Sequence, residues 1–290
     1  MPIRRFQKQK ETEAMEQTLT LDQVSLQVGK KTILQPTCLD ITPGSITAIL
    51  GPNGSGKSTL LKLLSGLTEP SAGTVLIDGQ PLKTGNRKTL AKKLALLPQH
   101  SPVPLGMSVA DLVACGRYPH AGPFGRLKKE DHNAINSALT RVEMDQYANE
   151  LVDHLSGGEM QRVWLAMVLA QETGILLLDE PTSWLDIAHQ LRLLEIVRQL
   201  NDEKQITIVW VLHDLNQALQ YSDEVVLMNK GSVVRKGIAE QVMDKDIISE
   251  VFGVETHEVQ LKGKKDSLFL PVGEYQRRSD IRVVSDREVA

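Results

Sequence analysis

The chain has 290 residues, 41 % of them hydrophobic, enough to bury a substantial core as one large α/β domain with additions or as two modest domains. Lys and Arg total 33 against 36 Asp and Glu, a formal charge of −3, so overall electrostatics give no case for nucleic-acid binding and any polyanion must be held locally. No apolar run approaches about 18 residues, and the start of the chain lacks the apolar stretch of a secretory signal, so the expectation is a chain that neither spans a membrane nor leaves by that route.

In chain order, Met1 to Gln17 is charged with little to bury and reads as a flexible N-terminal extension. Leu19, Leu21, Val24, Leu26 and Val28 alternate as in a half-exposed strand, with a turn at Lys30-Lys31 before Ile33-Leu34. A second strand is expected over Thr37 to Ile41, ended by Pro43-Gly44, the two forming an antiparallel sheet. The chain then turns on one stretch. Ser45 to Leu50 reads as a buried strand and leads into Gly51, Pro52, Asn53, Gly54, Ser55, Gly56, Lys57, Ser58 and Thr59, the full pattern G-x-x-x-x-G-K-[ST], before a helix over Lys57 to Leu64 that closes at Gly66. Glycines there let successive N–H groups converge on phosphate oxygens at a helix N-terminus, where the macrodipole also favours an anion. Lys57 would supply charge to the β- and γ-phosphates of a nucleotide, and Ser58 a hydroxyl to Mg²⁺.

Gly73 to Ile77 with Asp78-Gly79 reads as a hairpin, and Leu94 to Leu97 as a buried strand stopped by Pro98-Gln99. Gln99 to His154 looks like a helical insert, with an amphipathic stretch at Val109 to Ala114 and helical spacing over Lys128 to Val142. Leu155 to Glu159 places glycines just before a long helix through Val163, Leu165, Met167 and Leu169, a second anion-ready helix tip. Ile175 to Glu180 is an apolar run ending in two carboxylates, as a central parallel strand should whose C-terminal end faces a site. A helix over Asp186 to Leu200, a strand over Ile206 to Leu212 ending at His213, a helix over Leu215 to Tyr221 and a hairpin around Lys230-Gly231 follow. From Gly237 to Ala290 a helix through Val242 and Ile247-Ile248 gives way to weak alternation near His257 to Leu261 and Leu268 to Leu270. Cys38 and Cys115 match no metal or redox spacing and are expected as small buried or half-buried apolar residues.

Beside a phosphate loop, a carboxylate at the tip of a strand suits Mg²⁺, usually held through water, so Asp179 is the candidate for the metal. Glu180, one residue on, is placed to orient and deprotonate a water in line with the γ-phosphate. His213, ending a parallel strand, would reach the same edge, though a lone histidine is more often structural.

The order of these features resembles the ATP-binding cassette ATPases: the phosphate loop, Gln99 after a strand, Leu155 to Glu159 as LSGGE, the strand ending Asp179-Glu180, Ser183-Trp184-Leu185-Asp186, and His213. The resemblance covers about Thr18 to Gly237. It implies an α/β fold, a P-loop NTPase (RecA-like) core with an antiparallel β subdomain and an inserted α-helical subdomain, in a domain at 18–236 (helical part about 99–160) between extensions 1–17 and 237–290. It makes Gly51 to Thr59 the ATP-binding loop, Asp179 a Mg²⁺ carboxylate, Glu180 the general base, His213 the switch histidine, and Gln99 a Mg²⁺ ligand that senses the γ-phosphate. In that family two chains pair head to tail. Ser156, Gly157, Gly158 and Asp186 would then face ATP held by Lys57 of a second copy, and two transmembrane permease subunits and, indirectly, a periplasmic or surface substrate-binding protein would complete the assembly. Two residues depart from the pattern: Val28 where an aromatic usually stacks on adenine, and Trp184 where Ala is commoner.

Cys115 to His120, Gly125-Arg126-Leu127, Leu185 to Gln190 and Leu212 to Asn216 resemble the ATPase subunits of ferric-siderophore importers, with cobalamin and haem importers as alternatives. The resemblance implies a peripheral protein at the cytoplasmic face of the inner membrane. Arg117 to Arg126 reads either as ordinary surface of the helical part or, by the resemblance, as lying near the groove for a permease coupling helix. A soluble cassette protein acting on nucleic acid or the ribosome is the reading from another class; such relatives usually carry two cassettes or basic, coiled-coil insertions, neither of which occurs here.

Overall fold

A computed structural model describes residues 17–82, 87–121, 125–260 and 267–274. The expected N-terminal extension, save Gln17, lies outside the described residues, as does the end of the C-terminal one. Alternation makes the first strands: Leu19, Leu21 and Val24 are buried in β1 (Leu19–Val28), and Leu34, Thr37, Leu39 and Ile41 in β2 (Lys31–Ile41). β2 is unbroken where a separate strand from Thr37 was expected. Pro36 fits because β2 is an edge strand of its sheet and its missing N–H costs no ladder bond. The same alternation turns Cys38 outward between Thr37 and Leu39; Cys115 is also exposed, so neither cysteine is the buried apolar residue expected.

The phosphate-loop stretch joins β3 (Ile46–Leu50), all five residues buried, to α1 (Lys57–Leu64). Next come the hairpin β4 (Ala72–Ile77) and β5 (Gln80–Pro81), the short α2 (Arg87–Leu90), and β6 (Leu94–Leu97). α3 (Val109–Ala114), α4 (Lys129–Arg141) and α5 (Gly157–Ala170) pack on one another. Then β7 (Ile175–Asp179), α6 (Ile187–Lys204), β8 (Thr207–Val211), α7 (Leu215–Tyr221), β9 (Glu224–Asn229) and β10 (Ser232–Ile238) complete the core, followed by α8 (Ala239–Val242), α9 (Lys245–Phe252), β11 (Val254–Gln260) and β12 (Ser267–Glu274). The single helix expected through Val242 and Ile247 is two, because Asp244 is extended and its carboxylate accepts from the N–H groups of Asp246 and Ile247, capping α9 afresh.

Among the described residues one sheet has the order β10-β9-β3-β8-β7-β6, parallel except for β10, and a second, antiparallel sheet runs β2-β1-β4-β5. The central strands bury both faces in period-two alternation. Leu176 and Leu178 of β7, Ile208 and Trp210 of β8, and Val225 and Leu227 of β9 join one core with α3 to α9. Leu177, Val209, Val211 and Val226 face the other way, onto Leu60, Leu61, Leu63 and Leu64 of α1 and the inner face of the antiparallel sheet. α1 is thus clamped between two sheets, and its N-terminus opens at the C-terminal edge of the parallel strands. No described helix is long and apolar enough to cross a membrane.

Within the 117–126 stretch, Arg117 is 4 % exposed, its guanidinium turned inward to Asp131, Glu172 and the carbonyl of Ala170. It is an internal strut rather than ordinary surface; among the described residues of this stretch Tyr118, 73 % exposed, and also Gly125 and Arg126 face outward.

Candidate active site

β3 delivers the chain to Gly51, where a Cβ would stand 2.2 Å from the Met228 carbonyl, so only glycine passes. Gly56, at φ 103°, turns the chain left-handed into α1. Leu60 N–H bonds the Gly56 carbonyl, which leaves the first-turn N–H groups of Lys57, Ser58 and Thr59 without helical acceptors. No side chain caps this end and no acid stands in its first turn, so the donors converge on open space suited to an anion. Lys57 is buried, and Nζ donates to the carbonyls of Gly51 at 2.8 Å and Pro52 at 3.2 Å. Burial lowers its pKa against the opposing pull of Glu180 and Asp179. Ser55 Oγ is buried without a partner among the described residues. The loop is a cradle with one cation and a row of unspent donors.

Asp179 ends β7 at 5 % exposure and accepts a hydrogen bond from Ser58 Oγ at 3.0 Å. Desolvation pushes its carboxyl above the usual range, partly offset by the Ser58 bond. Among the described residues no cluster of three or more His, Cys, Asp or Glu stands ready for a metal, so an ion here would take a serine hydroxyl and a carboxylate from the protein and the rest from phosphate and water. That donor set, all oxygen and incomplete, fits Mg²⁺.

Glu180 adopts φ 51°, an uncommon conformation for a residue with a side chain, as the chain leaves the strand. Three groups hold its carboxylate: Gln99 Nε2, Ser183 Oγ at 3.0 Å and His213 Nε2 at 2.7 Å. Gln99, expected beside Ser58, is therefore turned to Glu180 instead. His213 lies two residues past β8, held there by Asp214, whose carboxylate caps α7 by accepting from Asn216 N–H at 2.8 Å and Gln217 N–H at 2.9 Å. Ser183 had no assigned role; its signal was a turn, Ser183 N–H to the Glu180 carbonyl, that brings residue i+3 back over the carboxylate.

Gly157 and Gly158 lie inside the first turn of α5, not ahead of it: Ser156 is the N-cap, joined to Glu159 in a reciprocal capping box. The Ser156 hydroxyl, then its backbone N–H, holds the Glu159 carboxyl below its ordinary range. Gly158 lies against the His189 ring, which a Cβ would approach to 3.1 Å, while Gly157 faces nothing. Asp186 caps α6, accepting from the His189 N–H at 2.9 Å with His189 Nδ1 at 2.8 Å. The partners of Ser156 and Asp186 belong to their own first turns, so within one chain neither is drawn to the Lys57 cradle. A cavity of about 220 Å³ lined by Gln99, Gly157, Met160, Trp164 and Trp184 separates the α5 tip from the Glu180 cluster. Trp184 is 87 % exposed at φ 67°, and Val28, at the turn into β2, is 62 % exposed.

Residues 34–183 match the ABC transporter family. The ferric enterobactin transport ATP-binding protein FepC of Escherichia coli K12 is 42 % identical over 252 residues, 87 % of this chain and 93 % of that one. The iron(3+)-hydroxamate import ATP-binding protein FhuC of Bacillus subtilis 168 is 43 % identical over 238 residues, 82 % and 88 % of the two chains. Among solved structures, the dimeric, post-hydrolysis state of the ATP-binding cassette MJ0796 bound to ADP and Pi superposes with a TM-score of 0.68 at 28 % identity, over 76 % of this chain and 98 % of that one. A phosphate cradle, a capped glycine tip and a strand-tip carboxylate pair in this order are the parts of a nucleotide-hydrolysing cassette, and the chain belongs to the ABC transporter family of ATPases.

Proposed function

We propose that the chain is the ATP-hydrolysing subunit of an importer for a ferric siderophore, working as a head-to-tail homodimer on two permease subunits at the cytoplasmic face of the membrane. The observation that carries the chemical part is the grip of Gln99, Ser183 and His213 on Glu180, beside the open N–H groups of α1. The cargo follows the relatives, both named for iron carriers.

In this reading the first-turn N–H groups of α1 and Lys57 bind the β- and γ-phosphates and neutralise charge that grows there as the bond breaks. Ser58 and Asp179, with Gln99 if its amide were turned from Glu180, would hold Mg²⁺, and the ion would supply Lewis acidity when bound. Glu180 accepts a proton from the attacking water; His213 and Ser183 fix the direction of its lone pairs. Ser156, Gly157 and Gly158 present the α5 tip to the nucleotide of the other copy. A glycine at Gly157 has no purpose inside this chain, where its φ is helical and no neighbour crowds it, so close approach by an outside group supplies one.

Glu180→Gln tests the chemistry: ATP stays bound, turnover falls by about 10²-fold or more, and a nucleotide-trapped dimer accumulates in light scattering. Turnover at the parent rate would remove Glu180 as the base. Deleting the gene and testing growth on iron supplied as a hydroxamate siderophore, a catecholate siderophore or haem, and separately on limiting cobalamin, tests the cargo; growth lost on haem or cobalamin alone would overturn the siderophore assignment.

A further inference from the structure

Two of the three loops that hold Glu180, one after β7 and one after β8, are joined by a pair of side-chain amides. Gln217, in the first turn of α7, donates from Nε2 to Gln190 Oε1 at 2.8 Å, and Gln190, in α6, donates from Nε2 to the Leu185 carbonyl at 3.0 Å. The side-chain amide of Gln190 is used at both ends, so the link has a direction: Gln217 fixes which way Gln190 points, and Gln190 holds the loop. Leu185 follows Ser183 and Trp184, and Ser183 donates to Glu180. Gln217 follows His213 and Asp214, and His213 reaches the other carboxylate oxygen. α7 is itself pinned from behind, because Asn216 clamps the Phe269 backbone of β12, accepting from its N–H at 2.8 Å and donating to its carbonyl at 3.2 Å.

We propose that Gln190 is a positioning residue that keeps the 183–186 loop in register with the His213 turn, with Gln217 aiming its amide, so that the two sides of the Glu180 carboxylate stay aligned during turnover. The effect on rate rests on the hydrolytic reading above; the hold on the loop does not.

The test uses the full chain and Trp184 as its own reporter, 87 % exposed and next to Leu185, with Trp184→Phe as the blank for the other tryptophans. Gln190→Glu keeps an oxygen for Gln217 but has no N–H for Leu185, and Gln190→Met removes both bonds. Both are expected to lower the nucleotide-free fluorescence anisotropy of Trp184 and to cut kcat about tenfold with KM for ATP within twofold. Gln190→Met/Gln217→Met should lose no more rate than Gln190→Met alone, since the two act in series. Unchanged Trp184 anisotropy in both Gln190 variants would overturn the link. Lowered anisotropy with unchanged kcat, or fully additive losses, would overturn the positioning role. A Glu180→Gln chain that still turns over sinks the hydrolytic reading instead, and leaves the anisotropy result standing.

Discussion

Asp179 is held where a carboxylate is poorly solvated, and its charge serves something other than the fold. Its pKa is raised first by burial, with the Glu180 charge adding to it and Ser58 opposing. A carboxylate whose folded pKa lies above its unfolded value binds more protons folded than unfolded. Its destabilising effect therefore appears as pH rises past about 4 and is complete above the folded pKa. Asp179→Asn should raise the nucleotide-free Tm at pH 7.5 by about 2 °C, the gain shrinking as pH approaches 4, while Mg²⁺-dependent hydrolysis falls by about 10²-fold or more. Calorimetry across pH checks the first part, and a Tm unchanged or lowered at pH 7.5 would deny the burial penalty. In the proposed dimer Gly157 would make the same trade at the α5 tip. Gly157→Ala should stabilise the monomer to urea by about 0.5–1 kcal/mol, because the helical φ suits alanine and no neighbour is met, yet abolish ATP-driven dimerisation in the Glu180→Gln background.

At the level of elements, Arg117 locks three helices. Nε bonds Asp131 Oδ1 at 2.9 Å; Nη1 bonds Glu172 Oε2 and the Ala170 carbonyl, each at 2.7 Å; and Asp131 in turn accepts the Lys128 N–H that opens α4. That backbone bond, ahead of the guanidinium, holds the Asp131 carboxyl below the usual range. Asp131→Ala leaves the buried Nε without a partner, while Nη1 keeps Glu172 and the Ala170 carbonyl, and is expected to cost about 3 kcal/mol in urea unfolding, with hydrogen exchange rising first in α4 and the end of α5. A cost under about 1 kcal/mol would mean the pair is solvated. None of this is legible in sequence, where Arg117 has no partner within a turn. What was legible is local: α3 and α7 begin and end where periodicity and their caps Ser108 and Asp214 put them, and the strand, loop and helix around Lys57 follow from pattern alone. The start of α5 was also readable, since Ser156-Gly157-Gly158-Glu159 is an S-x-x-E capping box. The turn of Gln99 to Glu180 and the Gln190 to Gln217 link join residues far apart in the chain, and no periodicity announces them.

For the molecule as a whole, the consequence lies in what one chain leaves open. α1 offers uncapped N–H groups at the edge of the parallel sheet, and α5 offers a glycine tip whose own polar groups are spent on its cap. If each site takes its cradle from one copy and its tip from another, hydrolysis by the isolated protein is second order in chain concentration. At saturating ATP and well below the dimer dissociation constant, turnover per chain should rise in proportion to concentration, then level off as dimers form. Ser156→Arg should keep the monomer's nucleotide affinity, because Ser156 bonds within its own turn, but show no rise in turnover per chain at any concentration. Turnover per chain that stays flat across a thousandfold dilution would place both halves of the site in a single copy, and with it the Ser156 tip would lose its function; a rise that Ser156→Arg abolishes ties the tip to the partner's phosphate.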